Sequence, residues 1–507
     1  MHLIANIIKE STRYKYSKAT KESDTTGTRL QLEQLKKLVY SARKTHFGTY
    51  NKFNRIINSR HLVRQFKEEV PLTNYENFYN DWISLALSGN KDIFWSGHIT
   101  NYALTSGTSG AASKKIPVSE EMLREFHRTS LRQIVNLHNF DLPSSFYDSK
   151  LLIIGGSTKL NKTQHYQEGD LSGILSKNKS IGFAPFTKPK KKTQKITDWN
   201  EKMEVIIEKA PNWNIGAIAG VPSWVLLLLE RIIDRYNLKT IHDIWPNLKL
   251  YTHGGVFIDP YKEKLQKCFS EKVIFQNTYL ASEGYFAYQI AEGEAMKLII
   301  NQGVFYEFIE EKYFNRINKG IIENIPTVCL NNVKPNENYA LVISTCSGLW
   351  RYIIGDVISF DDTEKYLIKL KGRVASNINL MGEHLSEENI KTVMSSVQKK
   401  MNISIQEYCV YPSIKNNCHY WYIGTNDHVD INKLSVEINN VLCILNDDYN
   451  AVRKILLKKP QVKQLKPKYF YDFLQYQNKL GGQSKFPRVM TISQAKSWER
   501  FLNDTVE

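Results

Sequence analysis

The sequence predicts an α/β protein, with a large N-terminal α/β domain of mainly parallel sheets followed by a small C-terminal α+β domain. Three observations carry this. Short apolar runs end in glycine at Gly155-Gly156, Gly220 and Gly254-Gly255, as buried parallel strands do at their exits. The stretches between them have a helical period. After Gly372-Arg373 the texture changes, which divides the 507 residues into domains of 1–373 and 374–507.

Taken in order, the first 28 residues are polar and carry little pattern. From Leu30 a helical period places Leu32, Leu35, Leu38 and Val39 on one face, in a helix predicted to end near Gly48. Leu151 to Ile154 reads as a strand, and Ile215 to Ala219 as another. Pro222 suits the first position of a leucine-rich helix over Ser223 to Arg235. A strand over Leu248 to Thr252, a helix from Asp259 to Phe269 and a fourth strand over Val273 to Phe275 follow. The C-terminal part reads as a helix from Ser386 to Lys400, strands over Gln406 to Tyr411 and Tyr420 to Gly424, a helix from Leu434 to Leu445, and a basic tail.

Composition narrows the function. Hydrophobic residues make up 42% and charged residues 23%, as in a soluble globular protein. The apolar run from Leu3 to Ile8 is interrupted by Asn6 and stops at Lys9, too short for a secretory signal or a membrane span. Six scattered cysteines with no C-x-x-C pair read as reduced thiols, which suggests a cytoplasmic protein. The net charge of +17 suits an anionic partner, nucleic acid or ATP, between which composition does not choose, and the cluster Lys188 to Lys195 reads as a solvated loop.

Three segments carry chemistry. Thr105-Ser106-Gly107-Thr108-Ser109-Gly110, with Lys114 and Lys115 behind it, pairs glycines and hydroxyls with a nearby cation, a combination that cradles phosphate. It fits neither the Walker A pattern nor G-x-G-x-x-G. Tyr279-Leu280-Ala281-Ser282-Glu283-Gly284 offers an aromatic plane for a base and a carboxylate for Mg²⁺. In Trp350 to Val357, Asp356 follows Gly355 and can accept hydrogen bonds from both ribose hydroxyls. His253, just before Gly254-Gly255, borders a possible acyl site, while Cys418-His419 has no evident partner.

The order of these segments resembles that of the adenylate-forming, firefly-luciferase-like enzymes. The whole set resembles the Gretchen Hagen family of acyl acid amido synthetases, the plant auxin- and jasmonate-conjugating enzymes and their bacterial relatives. Matching patches run through Gln34 to Gly48, Val70-Pro71-Leu72, Tyr75-Glu76, Thr105 to Pro117 and Gly220 to Trp224. They continue through Gly254 to Val256, Tyr279 to Gly284, Gly348 to Val357, Gly372-Arg373, Gly382-Glu383 and Gly481 to Arg488.

The resemblance implies an enzyme that uses ATP and Mg²⁺ to adenylate a small carboxylic acid, releasing pyrophosphate, and then passes the acyl group to an amine. That amine is expected to be an amino acid. By the same resemblance, Ser106, Thr108, Ser109 and Lys114 hold phosphates, and Tyr279, Ala281 and Ser282 line the adenine. Asp356 and Arg373 serve the nucleotide, and Glu283 faces the metal. Trp224, His253, Gly254, Gly255 and Val256 line the acyl pocket. Lys485, in a mobile small domain, neutralises charge on the α-phosphate. Three positions depart from the family pattern: Thr105 for Ser, Ile353 for the Arg of plant members, and His384 for a charged residue, usually Lys. They leave ATP use intact and bear on the choice of amine. No nucleic-acid or membrane partner is expected. The alternatives are an acyl-CoA ligase of the same superfamily and a basic nucleic-acid-binding protein, the latter suggested by Lys463 to Tyr471.

Overall fold

The computed structural model describes residues 27–105, 114–178, 185–255, 258–374, 377–378, 380–383, 385–477, 486–490 and 492–505. They fall into two compact units, one holding residues up to Thr105 together with Lys114–Val374, the other the described residues beyond Val374.

The first unit begins with the helix Gly27–Ala42, which buries Leu35, Leu38 and Val39. Two details differ from the sequence reading. Leu32 is exposed, and the helix stops at Ala42, six residues before Gly48. Thr45 then caps a second short helix, His46–Tyr50, by accepting the Gly48 N–H at 3.0 Å. Gly48 is therefore no terminator. A Cβ there would lie 2.1 Å from the Ala42 carbonyl oxygen, so close packing of the two helices requires glycine.

The strands follow as β1 (Asn101–Thr105), β2 (Lys114–Val118), β3 (Lys150–Ile153), β4 (Asn161–Lys162) and β5 (Gln167–Gly169). Next come β6 (Thr187–Lys188), β7 (Ile215–Ala219), β8 (Leu250–His253), β9 (Ile274–Ala281) and β10 (Gly284–Gln289). The unit ends with β11 (Met296–Leu298), β12 (Val304–Glu310), β13 (Asn338–Thr345), β14 (Tyr352–Asp362) and β15 (Leu367–Arg373). A four-stranded sheet has the order β2-β1-β5-β4, and an eleven-stranded sheet runs β12-β13-β14-β15-β11-β10-β9-β8-β7-β3-β6.

The large sheet is mixed, which corrects the expectation of mainly parallel sheets. From β9 through β8, β7 and β3 to β6 it is parallel, as helical crossovers require, and every pairing from β9 to β12 is antiparallel. Glycine-closed runs mark only the parallel half, so the sequence pattern predicts no strand of this sheet beyond β9. The fourth predicted strand is also longer than expected, extending to Ala281. At the sheet edge, Lys188 and Pro189 occupy and follow the two-residue β6, residues that discourage pairing with another chain.

The helix Pro222–Tyr236 covers the parallel half, with Leu228, Leu229 and Ile232 fully buried. Beneath the antiparallel half, Trp350 is fully buried, stacks on Phe47 at 5.7 Å and donates its indole N–H to the Phe94 carbonyl at 2.9 Å. Burying such a side chain contributes on the order of 2–3 kcal/mol.

In the second unit the strands Glu407–Ser413 and Cys418–Gly424 pair antiparallel. The stretch expected to be a basic tail is ordered instead. Its Gln461–Leu465 adds a parallel third strand, and the helices Lys468–Tyr476 and Ile492–Thr505 bury Phe470, Phe473 and Trp498. Lysines spaced between aromatic residues hid an apolar face. No helix among the described residues is long and apolar enough to cross a membrane.

Candidate active site

The site residues of the first unit gather where β9, β14 and β15 meet the start of β2. Ala281 pairs with Gly284, so β9 and β10 form a hairpin whose two-residue turn is Ser282-Glu283. Burial, helped by Asp356, raises the Glu283 carboxyl to about 7, against the pull of Arg373 and Lys114. No described side chain is hydrogen-bonded or ion-paired to it.

Asp356 lies opposite Arg373 in the β14–β15 ladder, and the Arg373 Nε sits 3.0 Å from the Asp356 Oδ1. A second guanidinium nitrogen donates to the Ile354 carbonyl at 2.9 Å, which fixes the fork. From β9, the Tyr279 hydroxyl donates to Asp356 Oδ2 at 2.6 Å. Burial and Asp356 keep that phenol well above its ordinary range, so it stays a donor. Each Asp356 oxygen has accepted one bond and retains capacity for another, the arrangement a vicinal diol needs. Gly355, at φ +87°, turns the chain just before Asp356 in a conformation that costs other residues about 1 kcal/mol or more.

Lys114 opens β2, paired with Thr105, and its Nζ lies 5.2 Å from the centroid of the Tyr75 ring. Burial and the Arg373 charge lower its pKa, opposed by Glu283 and Glu76. It makes no ion pair among the described residues. Lys115 is committed elsewhere, to Glu168 at 2.7 Å and the Tyr166 hydroxyl at 2.6 Å. The structure thus separates two lysines that the sequence presents together.

Tyr75, Tyr352 and Arg351 had no role assigned from sequence. Tyr352 is buried, and Glu283 and Tyr75 raise its phenol further while Arg373 opposes them. Arg351, at φ +41°, forms a bidentate pair with buried Glu307 at 3.0 Å for both contacts and donates to the Val70 carbonyl at 2.7 Å. Thr73 is held on both sides, its N–H donating to the Arg351 carbonyl and its carbonyl accepting from Ile353. These contacts over-determine the backbone of Arg351 and hold it in a sparsely populated region.

The residues expected to line an acyl pocket lie at the exits of β7 and β8. His253 is buried between the Tyr251 and Phe275 rings, its Nδ1 has no partner among the described residues, and burial lowers its pKa to about 4. Its carbonyl accepts the Thr278 hydroxyl at 2.9 Å, one residue before Tyr279. Trp224 meets Trp199 edge to face at 4.6 Å, and Gly255 lies beside Val221. Nearby, buried Lys202 donates to the carbonyls of Gly155 at 2.9 Å and Gly156 at 3.1 Å. Ile353 is buried in an apolar cluster with Ile309 and Val342, where an arginine would need a partner. Ser106, Thr108, Ser109, Val256, His384 and Lys485 lie outside the described residues.

In the second unit His419 has the partner that the sequence did not reveal. Its Nε2 lies 2.7 Å from Glu383 Oε1, with both residues fully buried. Burial alone would raise Glu383, but His419 and the N–H groups of Leu380 and Met381 hold it below the usual carboxylate range.

This topology is the fold of several solved synthetases and ligases. A GH3.15 acyl acid amido synthetase superposes with a TM-score of 0.60 at 16% identity, covering 95% of each chain. A 2-hydroxyisobutyryl-CoA ligase in complex with 2-HIB-AMP and CoA gives 0.58 at 11% identity, covering 94% of this chain and 92% of the other. Within that class the chain belongs to the Gretchen Hagen (GH3) family. The GH3 N-terminal domain matches residues 18–138 and 126–274, the central domain 297–368 and the C-terminal domain 388–494. An indole-3-acetic acid-amido synthetase, GH3.4 of Arabidopsis thaliana, is 22% identical over 58% of this chain, which spans about three fifths (59%) of that protein. A jasmonoyl-L-amino acid synthetase, GH3.5 of Oryza sativa subsp. japonica, is 22% identical over 93% of each.

Proposed function

We propose that this protein is an ATP-dependent acid–amine ligase. It adenylates a small carboxylic acid, releases pyrophosphate and transfers the acyl group to an amino acid, forming an amide. The observation that carries this reading is Asp356, clamped by Arg373 and Tyr279 with free acceptor capacity beside Glu283 and Lys114. The family and the names of the two plant relatives support an amide product.

The residues divide the work. Asp356 takes the ribose hydroxyls, Arg373 holds Asp356, and Tyr279, Ala281 and Ser282 border the base. Lys114, with Ser106, Thr108 and Ser109, meets the phosphates. Glu283, to which no described side chain is hydrogen-bonded or ion-paired, would hold Mg²⁺, and the ion when bound would supply charge neutralisation. Trp224, His253 and Gly254 to Val256 shape the acyl pocket, and Lys485 neutralises charge on the α-phosphate. The carboxylate oxygen attacks the α-phosphorus, the bond to pyrophosphate breaks, and the amine nitrogen then attacks the acyl carbon and expels AMP. Positioning and charge placement carry most of the acceleration. The protein works in the cytoplasm, where its six unpaired cysteines remain thiols.

The test is a pyrophosphate-release screen with ATP, Mg²⁺ and a panel of carboxylic acids, with each amino acid added in turn and products read by mass. Amides support the proposal. Thioesters formed with coenzyme A, and no amide with any amine, would establish the acyl-CoA ligase reading instead.

A further inference from the structure

Lys114 is an ammonium in a partly buried place without an ion pair among the described residues, next to the guanidinium that lowers its pKa. Something must offset that cost if the lysine is to stay charged and aimed. The side chain against it is Tyr75. Its ring centroid is 5.2 Å from Lys114 Nζ, within the range of a cation–π contact. Its hydroxyl accepts the backbone N–H of Lys115 at 2.7 Å. One side chain therefore touches the ammonium of one residue and the backbone of the next.

Tyr75 is itself held. It opens the short helix Tyr75–Phe78, capped by Asn74, which accepts the Asn77 N–H at 3.0 Å. Its ring meets that of Tyr79 at 5.6 Å. Two residues earlier Thr73 is pinned between Arg351 and Ile353, on the strand that carries Asp356. Burial raises the phenol to about 12, so near neutral pH it remains uncharged.

We infer that Tyr75 is a positioning residue that holds the Lys114 ammonium, and with it the start of β2, beside Arg373 and Glu283 for binding the nucleotide's phosphates. The inference rests on the reading of Lys114 as a phosphate-binding lysine. Tyr75 touches no reactant in this role. It acts through Lys114, so its loss must weaken ligands that carry phosphates and spare those that do not.

The experiment titrates the full-length protein with ATP plus Mg²⁺ and, separately, with adenosine, in wild type, Y75L, Y75F, K114M and the corresponding double variants. Wild-type binding of ATP that K114M weakens while sparing adenosine establishes the underlying reading, and its absence overturns both. Y75L should weaken ATP by about 5- to 30-fold, the worth of a partly desolvated cation–π contact. Adenosine affinity should stay within about 2-fold. Y75F keeps the ring and should lose less than Y75L. With K114M already present, Y75L should cost ATP almost nothing more, because the two act as a unit. Three results would each overturn the inference while leaving ATP binding in place: unchanged ATP affinity in Y75L, an equal loss for adenosine, or an equal loss in the K114M background. If thermal denaturation shows Y75L unfolded, the cycle of Y75F and K114M decides, with coupling above about 2-fold supporting the role and independent effects rejecting it.

Discussion

The hydroxyl of Tyr279 donates to Asp356 Oδ2 at 2.6 Å, joining β9 to β14 across two residues 77 positions apart in the chain. Tyr279 is therefore a holder of Asp356 as well as a neighbour of the proposed base site. With Arg373 on the other oxygen, the carboxylate is held from both sides and each oxygen keeps capacity for one more hydrogen bond.

Replacing Asp356 with Ala should raise the KM for ATP by about 10- to 100-fold with a smaller effect on kcat, since ribose bonds form in ground and transition states alike. Y279F should show the same pattern more weakly, by about 3- to 10-fold, because it removes one hydrogen bond and spares the carboxylate. Steady-state kinetics with ATP varied distinguishes them. An unchanged KM in D356A would remove the ribose role.

Lys485 is expected to act on the first chemical step alone. K485A should cut acyl-AMP formation by roughly two to three orders of magnitude, on the scale of losing one transition-state electrostatic contact, with ATP affinity nearly intact. Rapid-quench measurement of acyl-AMP in a single turnover is the check. A burst equal to that of wild type would end the assignment.

His253 makes stability depend on acidity. Burial lowers its pKa to about 4 from an ordinary 6.5, so the unfolded chain binds more protons between those values. Stability is therefore whole above about pH 6.5, declines as pH falls and levels off below about 4, with a full effect on the order of 3 kcal/mol. Urea midpoints measured across this window should slope less in H253N than in wild type. Parallel curves for the two proteins would show that the imidazole is not held neutral.

The Arg351–Glu307 pair is buried, so breaking it from one side leaves a charge behind. R351M should destabilise by about 3 kcal/mol, and adding E307L should recover much of that loss. Chemical denaturation of both variants tests this. A double variant no more stable than R351M would mean that Arg351 acts through the Val70 and Lys67 carbonyls rather than through the carboxylate.

Much of the parallel half was legible because its signals are local. Apolar runs closed by glycine marked β3, β7 and β8, and Pro222 marked the helix that covers them. The antiparallel strands β10, β12, β13 and β14 were not legible, since strands buried on both faces carry neither a clean alternation nor a glycine at each exit. The ordered C-terminal strand and helices were read as a tail for a related reason. Their lysines give the stretch a polar look, and only packing reveals that Phe470, Phe473 and Trp498 share one core.

By itself the sequence determined the order of the chemical segments and the residue types in them, because a loop, a turn or a strand exit is specified by neighbours within a few positions. It could not decide partnership. Arg373 meeting Asp356, Tyr75 meeting Lys114, Arg351 meeting Glu307 and His419 meeting Glu383 all join residues from different segments, the last pair 36 positions apart. Such contacts exist only once register and crossover connections have been chosen. Those choices minimise the free energy of the whole chain, to which each of these polar pairs contributes a small share.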